Sequence, residues 1–231
     1  MAHKIKNFSN TNTLAIAAAD YIIAAGLAAI KKNGRFCVAL SGGSTPNILY
    51  QVLVQPAYQS KIDWKKTFIF WSDERCVPAN DPQNNSYQAY QVLLNEVPIP
   101  KENIFTIPVH LTPAAAAAAY QLTIQQFFKN NFPVFDIVLL GMGDNGHTAS
   151  LFPHTSILHE TTALVKNIYV NEVNMDRITF TAPFINNAQH RLFLVTGANK
   201  KTMLQKVLHG NYEPDNYPAQ LIKNADWYTC V

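Results

Sequence analysis

The sequence predicts an α/β fold with an open, mostly parallel β-sheet and helices on both of its faces. Short apolar runs alternate with helical patterns along nearly the whole chain, an order typical of right-handed crossovers between parallel strands. The runs FCVAL and IVLL lack polar alternation, which indicates strands buried on both faces. No linker rich in Pro, Gly or Ser divides the chain, so we expect a single domain over residues 1–231.

The first long element is a predicted helix over residues 14–30, LAIAAADYIIAAGLAAI. Three residues could cap its start: Thr11, Asn12 and Thr13. Asn33-Gly34 should end it. The segment loosely resembles a secretory signal, but Asp20 stands in its middle, where a charge would be costly in a membrane. We therefore expect a core helix of a cytoplasmic protein and no export signal.

The remaining elements follow the same alternation. Strands are predicted at 35–40, 66–71, 103–109, 135–140, 164–170, 177–182 and 190–196, with an edge strand at 226–231. Helices are predicted from Pro46 onward and at 86–97, 111–130, 198–210 and 218–224. Thr112-Pro113 is a start signal, and the alanine run after it consists of the best helix former. This order describes a Rossmann-like architecture.

Composition excludes several classes of function. The chain of 231 residues has 18 Lys and Arg against 15 Asp and Glu, a net charge of +3, and its scattered cations form no footprint for nucleic acid. The three cysteines are distant from one another and odd in number, which indicates reduced thiols. His147, His154 and His159 follow no metal-binding motif. We expect no metal and no membrane, although a local basic pocket could hold an anionic metabolite.

Polar or glycine-rich sequence follows several predicted strands directly. In an open parallel sheet, ligands bind beyond the carboxyl ends of the strands. These segments are residues 41–45, 72–75 and 141–147, together with the surroundings of Arg177 and of 197–200. Their coincidence predicts one site at this edge of the sheet.

The segment LSGGSTP places Gly42, Gly43, Ser44 and Thr45 between a strand and a helix. Glycines permit close backbone approach, and free N–H groups at a helix N-terminus bind phosphate. The segment matches neither the Walker pattern nor the dinucleotide fingerprint. An equally good interpretation from these residues alone is a tight turn capped by Ser44 or Thr45.

Two further segments carry candidate acid–base and charged groups. In WSDERCVP, Asp73 or Glu74 could transfer protons and Arg75 could hold an oxyanion, although such runs are more often surface ion pairs. In GMGDNGHTASLFP, His147 at the start of a predicted short helix should be held neutral by the helix dipole, as suits a base. Its context, with Asn145 close by, favours function over a structural histidine.

Together these segments resemble the 6-phosphogluconolactonases, members of a superfamily that also includes glucosamine-6-phosphate deaminases. LSGGSTP, FWSDERCVP, NSYQ, DIVLLGMGDNGHTASLFP, RITFTAPFINNAQHRLFLVTGANK and YPAQLI occur in the family's order. The resemblance implies hydrolysis of 6-phospho-D-glucono-1,5-lactone in the pentose phosphate pathway, without metal or cofactor.

The resemblance also implies roles for residues. The turn from Gly42 to Thr45, with Arg177 and Lys200, would hold the substrate phosphate. His147 would activate water and then protonate the ring oxygen, while Asp73 and Arg75 would lie beside the sugar. The remaining expectations are a small sugar-phosphate substrate, no nucleic acid partner, and a monomer or weak homodimer.

One position departs from the family pattern, which usually reads Asp-Gly-His where this chain has Asn145-Gly146-His147. An amide cannot ionise, although it can still form hydrogen bonds. We expect a slower enzyme or a shifted pH optimum, unless Asp144 compensates. The departure also leaves open a non-catalytic sugar-phosphate binding protein.

A second alternative is the deaminase or isomerase branch. In that branch, ring opening and isomerisation use an additional carboxylate five residues after the histidine. In this chain the corresponding position is Phe152. Without this acid the isomerase has no proton relay, so lactone hydrolysis is the preferred interpretation.

Overall fold

The centre of the computed structural model, which describes residues 3–129 and 132–231, is a six-stranded parallel sheet. In chain order the strands are β1 (Lys4–Asn7), β2 (Phe36–Leu40), β3 (Thr67–Trp71), β4 (Asp73–Arg75), β5 (Ile137–Leu140), β6 (Val165–Val170), β7 (Met175–Phe180), β8 (His190–Thr196) and β9 (Asp226–Cys230). The sheet has the order β1-β9-β8-β5-β2-β3, and every pairing in it is parallel. The predicted α/β fold class is confirmed.

Helices cover both faces of this sheet. They are α1 (Thr11–Asn33), α2 (Ser44–Leu53), α3 (Pro56–Gln59), α4 (Asn85–Ala89), α5 (Pro113–Phe127), α6 (Ala182–Asn186) and α7 (Lys201–His209). Gly26 of α1 lies against the ring of Phe36. Phe70 is in register with Ala39, so it points to the face opposite Phe36. On that face it contacts Tyr120 and Phe127 of α5.

The long helix α1 is part of the core. The side chain of Asn10 accepts a hydrogen bond from the Thr13 N–H at 2.9 Å, so the cap lies one residue before the three that the sequence suggested. Gly34 ends the helix in the left-handed conformation, as predicted. Among the described residues, α1 is the one helix long and apolar enough to cross a membrane by length and composition alone. Here its Leu14, Ala18 and Ile22 are buried.

A second, three-stranded sheet, which the sequence did not predict, accompanies the parallel one. Its order is β4-β7-β6, and both pairings are antiparallel. The segment Asp73–Arg75, predicted as a polar strand end, is therefore a strand itself. This pairing sets Arg75 opposite Arg177 and Asp73 opposite Thr179.

Four further elements also differ from prediction. β9 is not an edge strand, because β1 pairs with it on its outer side. The predicted strand at 103–109 is reduced to one bridge, Ile104 to Ile69, since a 3₁₀ turn precedes it and Pro108 follows. The predicted helix at 218–224 is a 3₁₀ turn, Pro218–Leu221. The helix predicted over 111–130 ends at Phe127, and residue 130 lies outside the described residues.

Candidate active site

The carboxyl ends of the parallel strands open onto a cleft of about 390 Å³. Its walls come from the segments that follow β2, β3, β5 and β8, and from β7. Except for Glu74, every site residue predicted from the sequence lines this one cleft: Gly42, Gly43, Ser44, Thr45, Asp73, Arg75, Asn145, His147, Arg177 and Lys200. Their assembly follows from topology, because parallel strands bring their carboxyl ends to one edge.

The turn between β2 and α2 presents backbone N–H groups to the cleft. Gly43, at φ 110°, occupies the N-cap position, and within the described ranges no side chain caps α2. The expected caps, Ser44 and Thr45, are instead the first two residues of the helix, and Pro46 is the third rather than the first. Their N–H groups have no intrahelical acceptor, so this turn can receive an anion.

The same turn is packed against the segment that follows β4. A Cβ atom on Gly42 would lie 1.8 Å from Oδ1 of Asn85, so only glycine fits there. The Asn85 amide in turn donates to the carbonyl oxygen of Asp73 at 2.9 Å. In the sequence this asparagine is only the first residue of NSYQ, and no local pattern assigns it a role. Its role is visible only when α4 is placed against the glycine turn.

Three cations face the cleft. Arg177 is only 9% exposed, and its Nε is buried without a hydrogen-bond partner among the described residues. Lys200 donates from Nζ to the carbonyl oxygen of Met142 at 2.5 Å. Burial lowers the pKa of both Arg177 and Lys200. Arg75 donates from Nη1 to the carbonyl oxygen of Gln83 at 2.6 Å. Such partly desolvated cations attract an anionic ligand strongly.

His147 is held by contacts on its edge and on its face. Its Nδ1 lies 2.6 Å from Oδ1 of Asn145, and its ring stacks on Phe152 with centroids 4.0 Å apart. Nε2 makes no hydrogen bond to residues 3–129 or 132–231. Burial, followed by the charges of Arg177, Lys200 and Arg75, lowers the pKa of His147 to about 4. The imidazole is therefore neutral at physiological pH, as a general base requires.

The predicted cause of this neutrality is wrong. Residues 148–151, all described, form a turn closed by a bridge between Thr148 and Leu151 rather than a helix. No helix dipole therefore acts on His147 from this side. Burial and neighbouring cations keep the ring neutral. Asp144, considered as a compensating acid, accepts a hydrogen bond from Asn199 at 2.9 Å instead.

The two carboxyl groups of the DER segment have different surroundings. Asp73 lines the cleft and accepts a hydrogen bond from Ser150 Oγ at 2.8 Å. Glu74 is 1% exposed and accepts from the backbone N–H groups of Arg75, Asn85 and Ser86 at 2.6–2.9 Å. Burial raises the pKa of Glu74 to about 7, against the effect of these donors. Through these hydrogen bonds Glu74 connects β4 to the start of α4.

Replacing Glu74 by alanine should destabilise the protein, because three buried N–H groups lose their acceptor. We expect Glu74→Ala to lower the free energy of unfolding by about 3 kcal/mol, measured by urea denaturation. Glu102→Ala, an exposed site, is the control and should change stability little. Equal stability of the two variants would show that the hydrogen bonds of Glu74 do not stabilise the contact between β4 and α4.

Gly143 has a steric requirement imposed by the catalytic candidate. A Cβ atom there would lie 2.0 Å from Cε1 and 2.1 Å from Nδ1 of His147. We expect Gly143→Ala to displace the ring and lower kcat about 10²-fold, while the fold is retained. Gly141→Ala is the comparison variant: Gly141 also lines the cleft, but a Cβ there meets no atom of the described residues within 4 Å and so leaves the imidazole in place. Similar rates for the two variants would contradict this prediction.

Two residues near the histidine could not be assigned their roles from the sequence. Phe152 was considered only as a missing carboxylate, whereas it stacks on His147. Glu172 was not considered, yet it lines the cleft and accepts from the Asn145 amide at 2.6 Å. Glu172 lies in an exposed turn between β6 and β7, and no local pattern marks it. The described residues contain no group of three or more His, Cys, Asp or Glu side chains that could hold a metal ion.

Comparison with known proteins identifies the family. The family model described as glucosamine-6-phosphate isomerases/6-phosphogluconolactonase matches residues 9–230. A 6-phosphogluconolactonase of Nostoc sp. is 44% identical over 199 residues, covering 84% of this chain and 80% of that protein. A probable 6-phosphogluconolactonase of Arabidopsis thaliana is 33% identical, covering 97% and 90%.

Solved structures agree with this assignment. The structure of 6-phosphogluconolactonase from Trypanosoma cruzi superposes with a TM-score of 0.87 at 27% identity, covering 99% of this chain and 94% of that one. A monomeric glucosamine-6-phosphate deaminase has a TM-score of 0.83 at 19% identity, covering 98% and 97%, and this shows a shared fold alone. The chain therefore belongs to the glucosamine-6-phosphate isomerase/6-phosphogluconolactonase family.

Proposed function

We propose that this protein is a 6-phosphogluconolactonase, which hydrolyses 6-phospho-D-glucono-1,5-lactone to 6-phosphogluconate in the oxidative branch of the pentose phosphate pathway. The observation that carries the proposal is a neutral histidine with a free Nε2 in the same cleft as an uncapped glycine turn and three cations. This arrangement suits a phosphorylated ester whose carbonyl is attacked by water. The names of the relatives support the same substrate.

The phosphate is assigned to one side of the cleft. The N–H groups at Gly43, Ser44 and Thr45 receive its oxygens at the start of α2, and Arg177 and Lys200 supply the positive charge. Arg177 lines the cleft, so its guanidinium group can donate to a bound oxyanion. The remote phosphate then fixes the position of the lactone carbonyl.

The chemical step is assigned to His147. Its Nε2 takes a proton from water as the water oxygen bonds to C1 of the lactone, and Arg75 faces the oxyanion that forms. When the tetrahedral intermediate collapses, the bond from C1 to the ring oxygen breaks, and the imidazolium returns its proton to that oxygen. The new carboxyl group then ionises. Asp73, fixed by Ser150, is assigned to the sugar hydroxyls.

The deaminase branch is disfavoured by Phe152. This side chain occupies the position of the additional carboxylate and packs its ring face on the imidazole, so it can neither donate nor accept the protons that isomerisation requires. The proposal further treats residues 1–231 as one cytoplasmic domain that acts on a small sugar phosphate without a resident metal or cofactor, as a monomer or weak homodimer.

The direct test is hydrolysis of freshly generated 6-phosphogluconolactone, coupled to oxidation of the product, in buffer with and without a chelator. We expect acceleration well above spontaneous opening in both buffers. No acceleration would overturn the enzyme assignment, and binding of 6-phosphogluconate in that case would leave a sugar-phosphate binding protein. Ammonia release from glucosamine 6-phosphate would instead identify the deaminase.

A further inference from the structure

A chain of hydrogen bonds leads from the catalytic candidate to an acidic side chain at the rim of the cleft. Asn145 Oδ1 lies 2.6 Å from His147 Nδ1 and accepts from the His147 backbone N–H at 3.1 Å. On its other side, Asn145 Nδ2 donates to Glu172 Oε2 at 2.6 Å. Glu172 belongs to a 3₁₀ turn, Asn171–Val173, and follows Asn145 by 27 residues in the chain.

The chemistry of these partners fixes the orientation of the Asn145 amide. A backbone N–H can only donate, so the atom that faces His147 must be Oδ1. A carboxylate can only accept, so the atom that faces Glu172 must be Nδ2. The amide is therefore oriented from both sides, because exchanging its oxygen and nitrogen would break the contacts to the His147 backbone N–H and to Glu172.

This orientation in turn fixes the tautomer of the imidazole. Because Oδ1 of Asn145 offers no proton, Nδ1 of His147 must carry the hydrogen, and the lone pair of the neutral ring is on Nε2, as a base needs. A carboxylate in this position would do the same with a full negative charge. Here the amide is neutral, and the negative charge is on Glu172, which is hydrogen-bonded to the amide and not to the imidazole. Its bond to Nδ2 polarises the amide and makes Oδ1 a stronger acceptor.

We propose that Glu172 is a positioning residue for His147, acting through Asn145 to hold the imidazole in its Nδ1–H tautomer. The inference rests on the proposed lactonase function. A single carboxylate would both orient the imidazole and supply a negative charge. Here the Asn145 amide orients the ring, and Glu172 supplies the charge.

The proposal predicts opposite effects of the same substitution in two backgrounds. In the natural chain, Glu172→Ala should lower kcat by about 3- to 10-fold, the size of one partly exposed charge-assisted hydrogen bond, with KM nearly unchanged. In an Asn145→Asp background, the carboxylate of residue 145 would meet that of Glu172 at hydrogen-bonding distance. Removing Glu172 there should raise kcat.

An exchange of the two functional groups provides the rescue. In the double variant Asn145→Asp with Glu172→Gln, the glutamine amide can donate to the new aspartate, so a paired amide and carboxylate are restored in reversed order. We expect this double variant to exceed Asn145→Asp alone in kcat. Glu102→Ala is the matched control, because Glu102 is also the exposed middle residue of a 3₁₀ turn and does not line the cleft.

A measurement independent of catalysis completes the test. ¹⁵N NMR of the imidazole, assigned with His147→Ala, should show Nδ1 protonated in the natural protein. Glu172→Ala should have a larger Nε2–H fraction, because only the longer 3.1 Å bond from the His147 backbone N–H then orients the Asn145 amide. Equal losses of kcat in both backgrounds, or an Nε2–H tautomer in the natural protein, would overturn the proposal. Absence of lactonase activity together with the expected tautomers would refute the proposed function and leave the positioning role intact.

Discussion

Replacing His147 by alanine should remove most turnover of the lactone and leave the ligand bound. A general base contributes about 10²–10⁴-fold to rate, and we expect kcat to fall within this range. The neutral ring and free Nε2 make His147 ready to take a proton from water at neutral pH. The coupled assay measures the rate after subtraction of spontaneous opening.

The affinity for the product separates chemistry from binding in this variant. The phosphate is assigned to the glycine turn and to Arg177 and Lys200, none of which loses a hydrogen bond when the imidazole is removed. Calorimetric titration with 6-phosphogluconate should therefore give a Kd within about threefold of the natural protein. His110→Ala, at an exposed position outside the cleft, serves as the control and should retain full rate. A His147→Ala variant with full rate would exclude His147 as the base.

The elements that could be predicted from the sequence are those whose burial shows in the pattern of apolar residues within the segment itself. β2 and β5 are entirely buried, so apolar runs marked them. β1, by contrast, is exposed throughout and reads KIKN. It is a strand only because β9 offers it a backbone to pair with, and without β1 the last strand looked like an edge.

The second sheet could not be predicted for a related reason. β4 consists of Asp73, Glu74 and Arg75, a charged run with no strand pattern. It becomes a strand through antiparallel pairing with β7, and such a pairing between distant segments has no local signature. The apolar runs of β6 and β7 predicted that both segments are strands, but they did not predict that the two strands pair antiparallel.

The location of the site was predictable because it follows from topology. Polar residues after parallel strands must meet at one edge, and they do so around one cleft. Their individual surroundings were not predictable. The neutral state of His147 arises from burial and from cations on other elements, whereas the sequence suggested a helix dipole that the turn at 148–151 does not provide.

Removal of Arg177 should weaken substrate binding and shift the pH dependence together. We expect Arg177→Ala to raise KM about 10²-fold, because a desolvated guanidinium contact to phosphate is lost. The change in kcat should be smaller, since the phosphate is held alike in the ground state and the transition state. Initial rates over a range of lactone concentrations give both constants. A fall in kcat alone would show that Arg177 does not hold the phosphate.

The pH effect has a definite sign. Burial is the largest cause of the lowered pKa of His147, which is about 4, and the positive charge of Arg177 is the next largest cause. Without this cation the ring protonates more readily, so its pKa rises and the base form disappears at a higher pH on acidification. The acidic limb of kcat/KM should move upward in Arg177→Ala, and an NMR titration of His147 should show the same shift.

Arg177→Lys separates the two effects, because lysine keeps the positive charge but lacks the planar fork. If charge alone sets the state of the imidazole, the lysine variant should keep an acidic limb close to that of the natural protein while KM remains elevated. If both variants shift the limb equally, the guanidinium acts on His147 through packing against Phe152, whose ring centroid lies 6.0 Å from the Arg177 Cζ. The pH profile of the lysine variant therefore decides whether the electrostatic link between phosphate site and base is real.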